Sequence, residues 1–171
     1  MQKAFVVLVL SWLCVAAPDK PRSGKPFVTL AGAHSRIDAV EYHRIATEKE
    51  LGTVWLRHVG VDLAQHSDYY NRAGVPAVDF ERCMVVAVFG GATANSAGID
   101  PVSVVEEKDR VVVRFSHRSY QTESKADSAT PFGFFVVARS TKPLVLEQSF
   151  PNMRGDPPRI EERKRFPGPG K

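Results

Sequence analysis

The sequence has very little cysteine, which limits the kinds of site it can build. Only two of its 171 residues are cysteines, Cys14 and Cys83. If Cys14 is removed with a leader peptide, Cys83 has no second thiol for an internal disulfide and cannot form a zinc site alone. Because Cys83 lies in an apolar, strand-like run, we expect a buried and inert thiol.

The common catalytic signatures are also missing. The sequence has no P-loop, no His-Glu-x-x-His and no nucleophile elbow. The glycine pair Gly90-Gly91 is followed by Ala92-Thr93-Ala94, without the lysine that a phosphate-binding loop needs. We therefore expect a non-enzymatic protein with no catalytic residues, no resident metal and no cofactor.

The positive charge is concentrated at one end of the chain. The formal net charge is +4, but residues 152–171 carry six lysines and arginines against three acidic residues. The central part is close to neutral, and a nucleic-acid-binding face needs clustered cations. We predict that the protein does not bind nucleic acid.

The N-terminus has the pattern of an export signal. Lys3 precedes the apolar run 4–13, which is too short to span a bilayer and has the length of a signal-peptide core. Small residues follow, and cleavage after Ala16 predicts a signal peptide over 1–16. A lipoprotein signal needs a small residue just before Cys14, where Leu13 stands, so we favour release into the periplasm or the medium over lipid anchoring.

Short alternating and apolar runs predict a β-rich fold. The runs are 27–31, 39–45, 77–91, 99–106, 111–115, 131–139 and 144–147. Charged residues 107–110 separate two of them and predict a hairpin. We expect an α+β domain over 27–150, a mainly antiparallel sheet or partly open barrel with one main helix and no stable membrane span.

One helix has a clear start signal. Thr47 and Glu50 form the pattern of a capping box. Leu51, Val54, Trp55 and His58 follow at helical spacing and predict one buried face.

Two flanking segments look unstructured. Residues 17–26 are rich in proline, lysine and glycine and predict a flexible leader. Residues 151–171 are rich in proline, glycine and charge and predict a disordered basic tail.

Three groups of polar residues are weaker catalytic candidates. Asp62, His66 and Asp68 have the chemistry of a metal site, which leaves a metal-dependent enzyme as an alternative. His34 with Ser35, and His117 with Ser116 and Ser119, combine a base and a nucleophile type, but a triad is defined by geometry. We interpret all three groups as ordinary loop residues.

The central strand region resembles a known family. The run 78–91 has Asp79-Phe80, a hydrophobic strand and Gly90-Gly91, followed by a small-residue loop and Ile99. With the later runs 111–115 and 131–137, it resembles the C-terminal domain family of PrcB-like proteins. Where that family usually has Thr-Gly-Gly-Tyr, this chain has residues 93–98. The resemblance implies an exported accessory protein that stabilises a surface protease complex.

We therefore expect a protein-binding module that contacts another envelope or secreted protein, such as a protease, as an accessory or stabilising subunit. Loops on a rigid scaffold are common recognition elements. The candidate binding residues lie in one loop: Gly90, Gly91, Thr93, Asn95, Ser96 and Gly98. The alternative for the same loop is a small β protease inhibitor that inserts it into an active site.

Overall fold

A computed structural model describes residues 22–60, 77–123, 125–152 and 155–169. The predicted signal peptide lies outside the described residues, as does the polar segment that contains Asp62, His66 and Asp68. The elements are β1 (Arg22–Gly24), β2 (Val28–Gly32), β3 (Val40–Ile45), α1 (Glu48–Val59), β4 (Cys83–Gly90), β5 (Thr93–Ala94), β6 (Ser96–Glu106), β7 (Val111–Ser119), β8 (Ser128–Ala129), β9 (Phe132–Ala138), β10 (Leu144–Phe150) and β11 (Arg159–Phe166).

The strands form two main sheets and a small ribbon. The first sheet has the order β1-β6-β7-β10-β11, and the second has the order β2-β9-β4-β3. Strands β5 and β8 pair separately. All neighbours are antiparallel except β7 and β10, and neither sheet closes into a barrel. The predicted α+β class is confirmed, with the open rather than the barrel arrangement.

The second sheet is the middle layer of the fold. Along β4, Met84, Val86 and Val88 belong to the cluster packed against the first sheet. Val85 and Phe89 belong to the cluster packed against the helix. Since successive strand residues point to opposite faces, a strand between two apolar layers has a continuous apolar sequence. This explains why β4 is apolar at consecutive positions instead of alternating.

The helix begins and packs as predicted. The Thr47 hydroxyl accepts from the Glu50 amide, and the Glu50 carboxylate accepts from the Thr47 amide, so the capping box is complete. Gly60 ends the helix in the left-handed conformation. The buried residues are the four predicted from helical spacing.

The hairpin between β6 and β7 is also confirmed. Val104 lies opposite Val113, and Glu106 lies opposite Val111. The interpretation of Ser116, His117 and Ser119 as loop residues is wrong, because β7 continues to Ser119.

The prediction that 151–171 is disordered is wrong for its central part. Residues 159–166 form β11, which pairs antiparallel with β10 along its whole length. Most of its side chains are exposed, so backbone hydrogen bonds rather than burial hold the strand, and Phe166 packs against the inter-sheet core. Charge on an edge strand is a common protection against unwanted strand pairing. Likewise, residues 22–24 of the predicted leader form the opposite edge strand, β1.

The edges β3 and β11 lie on the same side of the two sheets and are tied together. Arg44 donates to the carbonyl oxygens of Lys142 and Pro167 at 3.1 and 3.0 Å, and also to that of Ser140. Farther along, Arg163 of β11 donates to the hydroxyl of Tyr42 at 3.3 Å. These contacts fix the position of one sheet relative to the other on this side.

Candidate functional site

The predicted binding loop is fastened to its neighbours. Asn95 has a positive φ of 52°, and its amide donates to the carbonyl of Asp127 at 2.9 Å. In return, the amide of Asp127 donates to Asn95 Oδ1 at 2.8 Å. Thr93 is exposed within the β5–β8 pair. The segment is therefore partly strand, and its backbone polar groups are largely used within the fold.

The other predicted residues of this loop have packing roles. A Cβ on Gly90 would lie 2.7 Å from the His117 ring, and one on Gly98 would lie 3.0 Å from the backbone of Gly32. Gly91 has a φ of 74° and is buried. Ser96 is 2% exposed. Glycine is required where the backbone approaches a neighbour closely, so these positions are explained without a ligand.

A cleft opens instead where the two sheets separate, beside the β3 and β11 edges. It has two adjoining parts, of about 660 and 230 Å³, which share His117, Gln148 and Phe150. The larger part follows the chain from His117 to Gln121, and the smaller part reaches Val40 and Arg163. We call this surface the end cleft. Of the six predicted binding residues, it includes Gly90.

A β-bulge places Arg163 at this cleft. Strand pairing matches Leu146 with Lys164 and Glu147 with Glu162, so Arg163 is an extra residue with no partner on β10. A bulge re-aims the side chain of the extra residue and is common next to functional sites. The Arg163 guanidinium reaches the other sheet, where Nε donates to the Tyr42 hydroxyl, while Nη1 lies 3.5 Å from a Glu161 oxygen.

The electrostatic character of the end cleft is positive. Within the described parts of the chain, no aspartate or glutamate lines it, whereas Arg118 and Arg163 do, and His117 adds a polar ring. Burial lowers the pKa of His117 below its ordinary value, and the charge of Arg163 lowers it further. Beside the cleft, the Arg159 guanidinium stacks over the Phe150 ring at 4.7 Å. The arrangement can bind a group that accepts hydrogen bonds and carries negative charge.

Sequence reasoning missed Arg163, Tyr42, Gln148 and Phe150. The composition of 151–171 predicts disorder around Arg163, although 159–166 is free of proline and glycine and ends on an aromatic residue. That uninterrupted run between Pro158 and Pro167 is a signal that an edge strand was present.

Ser35 does contact a histidine, but the partner is His58 and not the neighbouring His34. Ser35 Oγ lies 2.9 Å from His58 Nδ1, while His34 is exposed. His58 is 4% exposed under the helix, and its ring lies 4.2 Å from that of Phe132. Ser35 Oγ also accepts from the Ile37 amide, so the hydroxyl is engaged in a local turn. We interpret this pair as a buried structural contact.

Three further observations concern the described residues as a set. They contain no group of three or more histidine, cysteine, aspartate or glutamate side chains able to hold a metal ion. Cys83 is a free thiol that is half-buried, not fully buried as the sequence predicted. A search of these residues for a bilayer-crossing helix, one of sufficient length and apolarity, finds none.

The comparisons with other proteins return nothing: no family model, no curated protein and no solved structure matches the chain. The resemblance to PrcB-like proteins therefore stays a prediction from the sequence.

Proposed function

We propose that the protein is an exported, non-catalytic binding module and that the end cleft receives a partner protein. The observation that carries the proposal is the bulge at Arg163, which turns one guanidinium of a charged edge strand into the opening between the sheets. Bulges are over-represented next to functional sites, where they re-aim a side chain, and this supports a binding role for Arg163.

The surroundings of Arg163 suit recognition. The cleft is built on the ends of β7 and β10, central strands of the first sheet, and so its walls are rigid. It combines an aromatic wall, Phe150, with polar groups on His117 and Gln148. Rigid apolar surface with a few oriented polar groups is typical of binding sites.

Export is supported by the N-terminal pattern of Lys3 followed by the apolar run 4–13. In the periplasm or the medium, the module would act as an accessory or stabilising subunit of an envelope protein or protease complex, as the resemblance to PrcB-like proteins implies.

The test is affinity capture from the native envelope fraction with the full chain as bait and three matched baits. Arg163→Gln removes the charge at the cleft. Arg165→Gln is the control, because Arg165 lies on the same strand but pairs with Glu162 at 2.6 Å, away from the cleft. We expect one protein to be retained by the wild type and by Arg165→Gln and lost with Arg163→Gln.

The third bait, Thr93→Arg, addresses the inhibitor alternative. Thr93 is exposed, so an added arginine changes the loop surface without entering the core. Loss of a protease with this bait, but not with Arg163→Gln, would favour the inhibitory loop. Failure of every folded bait to retain a protein would overturn the protein-binding function itself.

A further inference from the structure

In the smaller part of the end cleft, the Arg163 guanidinium retains a hydrogen-bond donor unused by the described residues. The described contacts of Arg163 use Nε and Nη1, which leaves its Nη2 group unused among the described residues. The guanidinium side chain is 37% exposed, and His117 and Gln148 line the same part of the cleft. A guanidinium with a free nitrogen is suited to a carboxylate.

The nearby carboxylates do not neutralise this charge tightly. Glu161 lies 3.5 Å from Arg163 but 2.7 Å from Arg159, so its closer contact is elsewhere. Asp100 lies 3.6 Å from Arg118 at the other end of the cleft. Such long contacts between exposed groups contribute little, so an incoming anion meets mostly positive charge.

The shape of the end cleft suits an extended chain. Residues 117–121, the end of β7 and the two residues after it, line it consecutively, and at about 3.3 Å per extended residue they span at most about 13 Å. Apolar surface is available at both ends, since Val40 is 54% exposed and Tyr120 is 40% exposed. A trough of this length accommodates about four residues of an extended peptide.

We propose that the end cleft binds an extended acidic segment of the partner protein, with one side-chain carboxylate held by the Arg163 guanidinium beside His117 and Gln148. The inference rests on the proposed function and specifies the chemistry of the partner. Apolar residues that flank the carboxylate would contact Phe150 and Val40.

The experiment measures binding of two fluorescein-labelled hexapeptides to the full chain by fluorescence anisotropy. One peptide has a single central glutamate between leucines, and its twin has glutamine at that position. A charge-assisted hydrogen bond predicts that the glutamate peptide binds about tenfold more tightly or better. Arg163→Gln should remove this preference, and Arg165→Gln should keep it.

The following results would contradict the proposal of an acidic segment. Equal binding of the two peptides, or equal loss in the two arginine variants, would overturn the acidic segment. If free glutamate, at the concentration of the peptide, displaced the peptide, the end cleft would bind a small acid and the proposal of an acidic segment would be overturned. His117→Asn gives a second variant; once circular dichroism shows that it is folded, it should weaken the glutamate peptide several-fold, and full affinity would remove His117 from beside the carboxylate. If capture still finds a partner that depends on Arg163, the proposed function survives the failure of this inference.

Discussion

Acidification should destabilise the protein through one buried histidine, His58. Its side chain lies between the helix and the second sheet, against Trp55 and Phe132, and is 4% exposed. Burial lowers the pKa of His58 from 6.5 to about 4, because the charged imidazolium is poorly solvated there. The contact with Ser35 Oγ is compatible with the neutral ring.

The direction and size of this change in the free energy of unfolding follow from the linkage between proton binding and folding. The unfolded chain protonates His58 near pH 6.5 and the folded protein only near pH 4, so the unfolded state binds more protons in between. The stabilisation is fully present above about pH 6.5 and is lost as the pH falls through about 4. At about 1.4 kcal/mol per pH unit this amounts to about 3 kcal/mol, of which about 2.5 kcal/mol is lost by pH 4.5.

The assay is urea denaturation of the full chain at pH 7.5 and pH 4.5. The variant His58→Gln keeps an amide that can donate to Ser35 but cannot titrate. Its free energy of unfolding should fall less on acidification than that of the wild type, by about 2.5 kcal/mol. Other groups that respond to acid, such as Glu41 and His117, are present in both proteins and cancel in the comparison.

His34→Gln provides the matched control, because His34 is an exposed histidine of the same domain. This variant should lose stability on acidification as the wild type does. If His58→Gln and the wild type lost the same free energy between the two pH values, His58 would not be the buried titrating group, and the reasoning from its burial would be refuted.

Two further predictions concern the packing of the sheets. Gly133→Ala places a Cβ on β9 at 2.6 Å from the Ile99 carbonyl oxygen on β6 of the facing sheet, and it should lower the free energy of unfolding by about 2 kcal/mol or more. Gly24→Ala has open space around it and should stay within about 0.5 kcal/mol. Comparable urea midpoints for the two alanine variants would contradict this. Arg44→Met leaves three backbone carbonyls without their donor, so we expect a loss of about 1–3 kcal/mol, and an unchanged midpoint would show that the bridge between the sheets is dispensable.

The sequence predicted those parts of the fold whose signals are local. The capping box at Thr47 and the buried face of the helix need only residues a few positions apart. The strand β4 was evident because it is apolar on both faces. The hairpin between β6 and β7 was evident because a charged turn separates two alternating runs. In each case, the interactions that determine the element are between near neighbours in the chain.

The end cleft was not predictable in this way because distant segments form it. Tyr42 and Arg163 lie 121 positions apart, and their contact depends on both edges lying on one side of the sheets. The composition of the tail indicated disorder, although an edge strand needs little buried surface of its own when a neighbouring strand supplies its hydrogen bonds. The candidate loop at 90–98 drew attention for its small residues, which the structure explains by close packing.

The bulge also explains how one charged strand can serve two purposes. In a regular strand, residues two positions apart point to the same face, so without the extra residue Arg163 and Arg165 would lie on the same side of the first sheet. With it, Arg165 stays on the outer face and pairs with Glu162, while Arg163 turns toward Tyr42 and the cleft. The outer charges then protect the edge from pairing with other strands, and the redirected charge remains available to a ligand. Deleting Glu162 should therefore place Arg163 opposite Glu147, on the outer face with Arg165. In the anisotropy measurement this deletion should abolish the preference for the glutamate peptide, and a retained preference in a folded protein would contradict the role of the bulge.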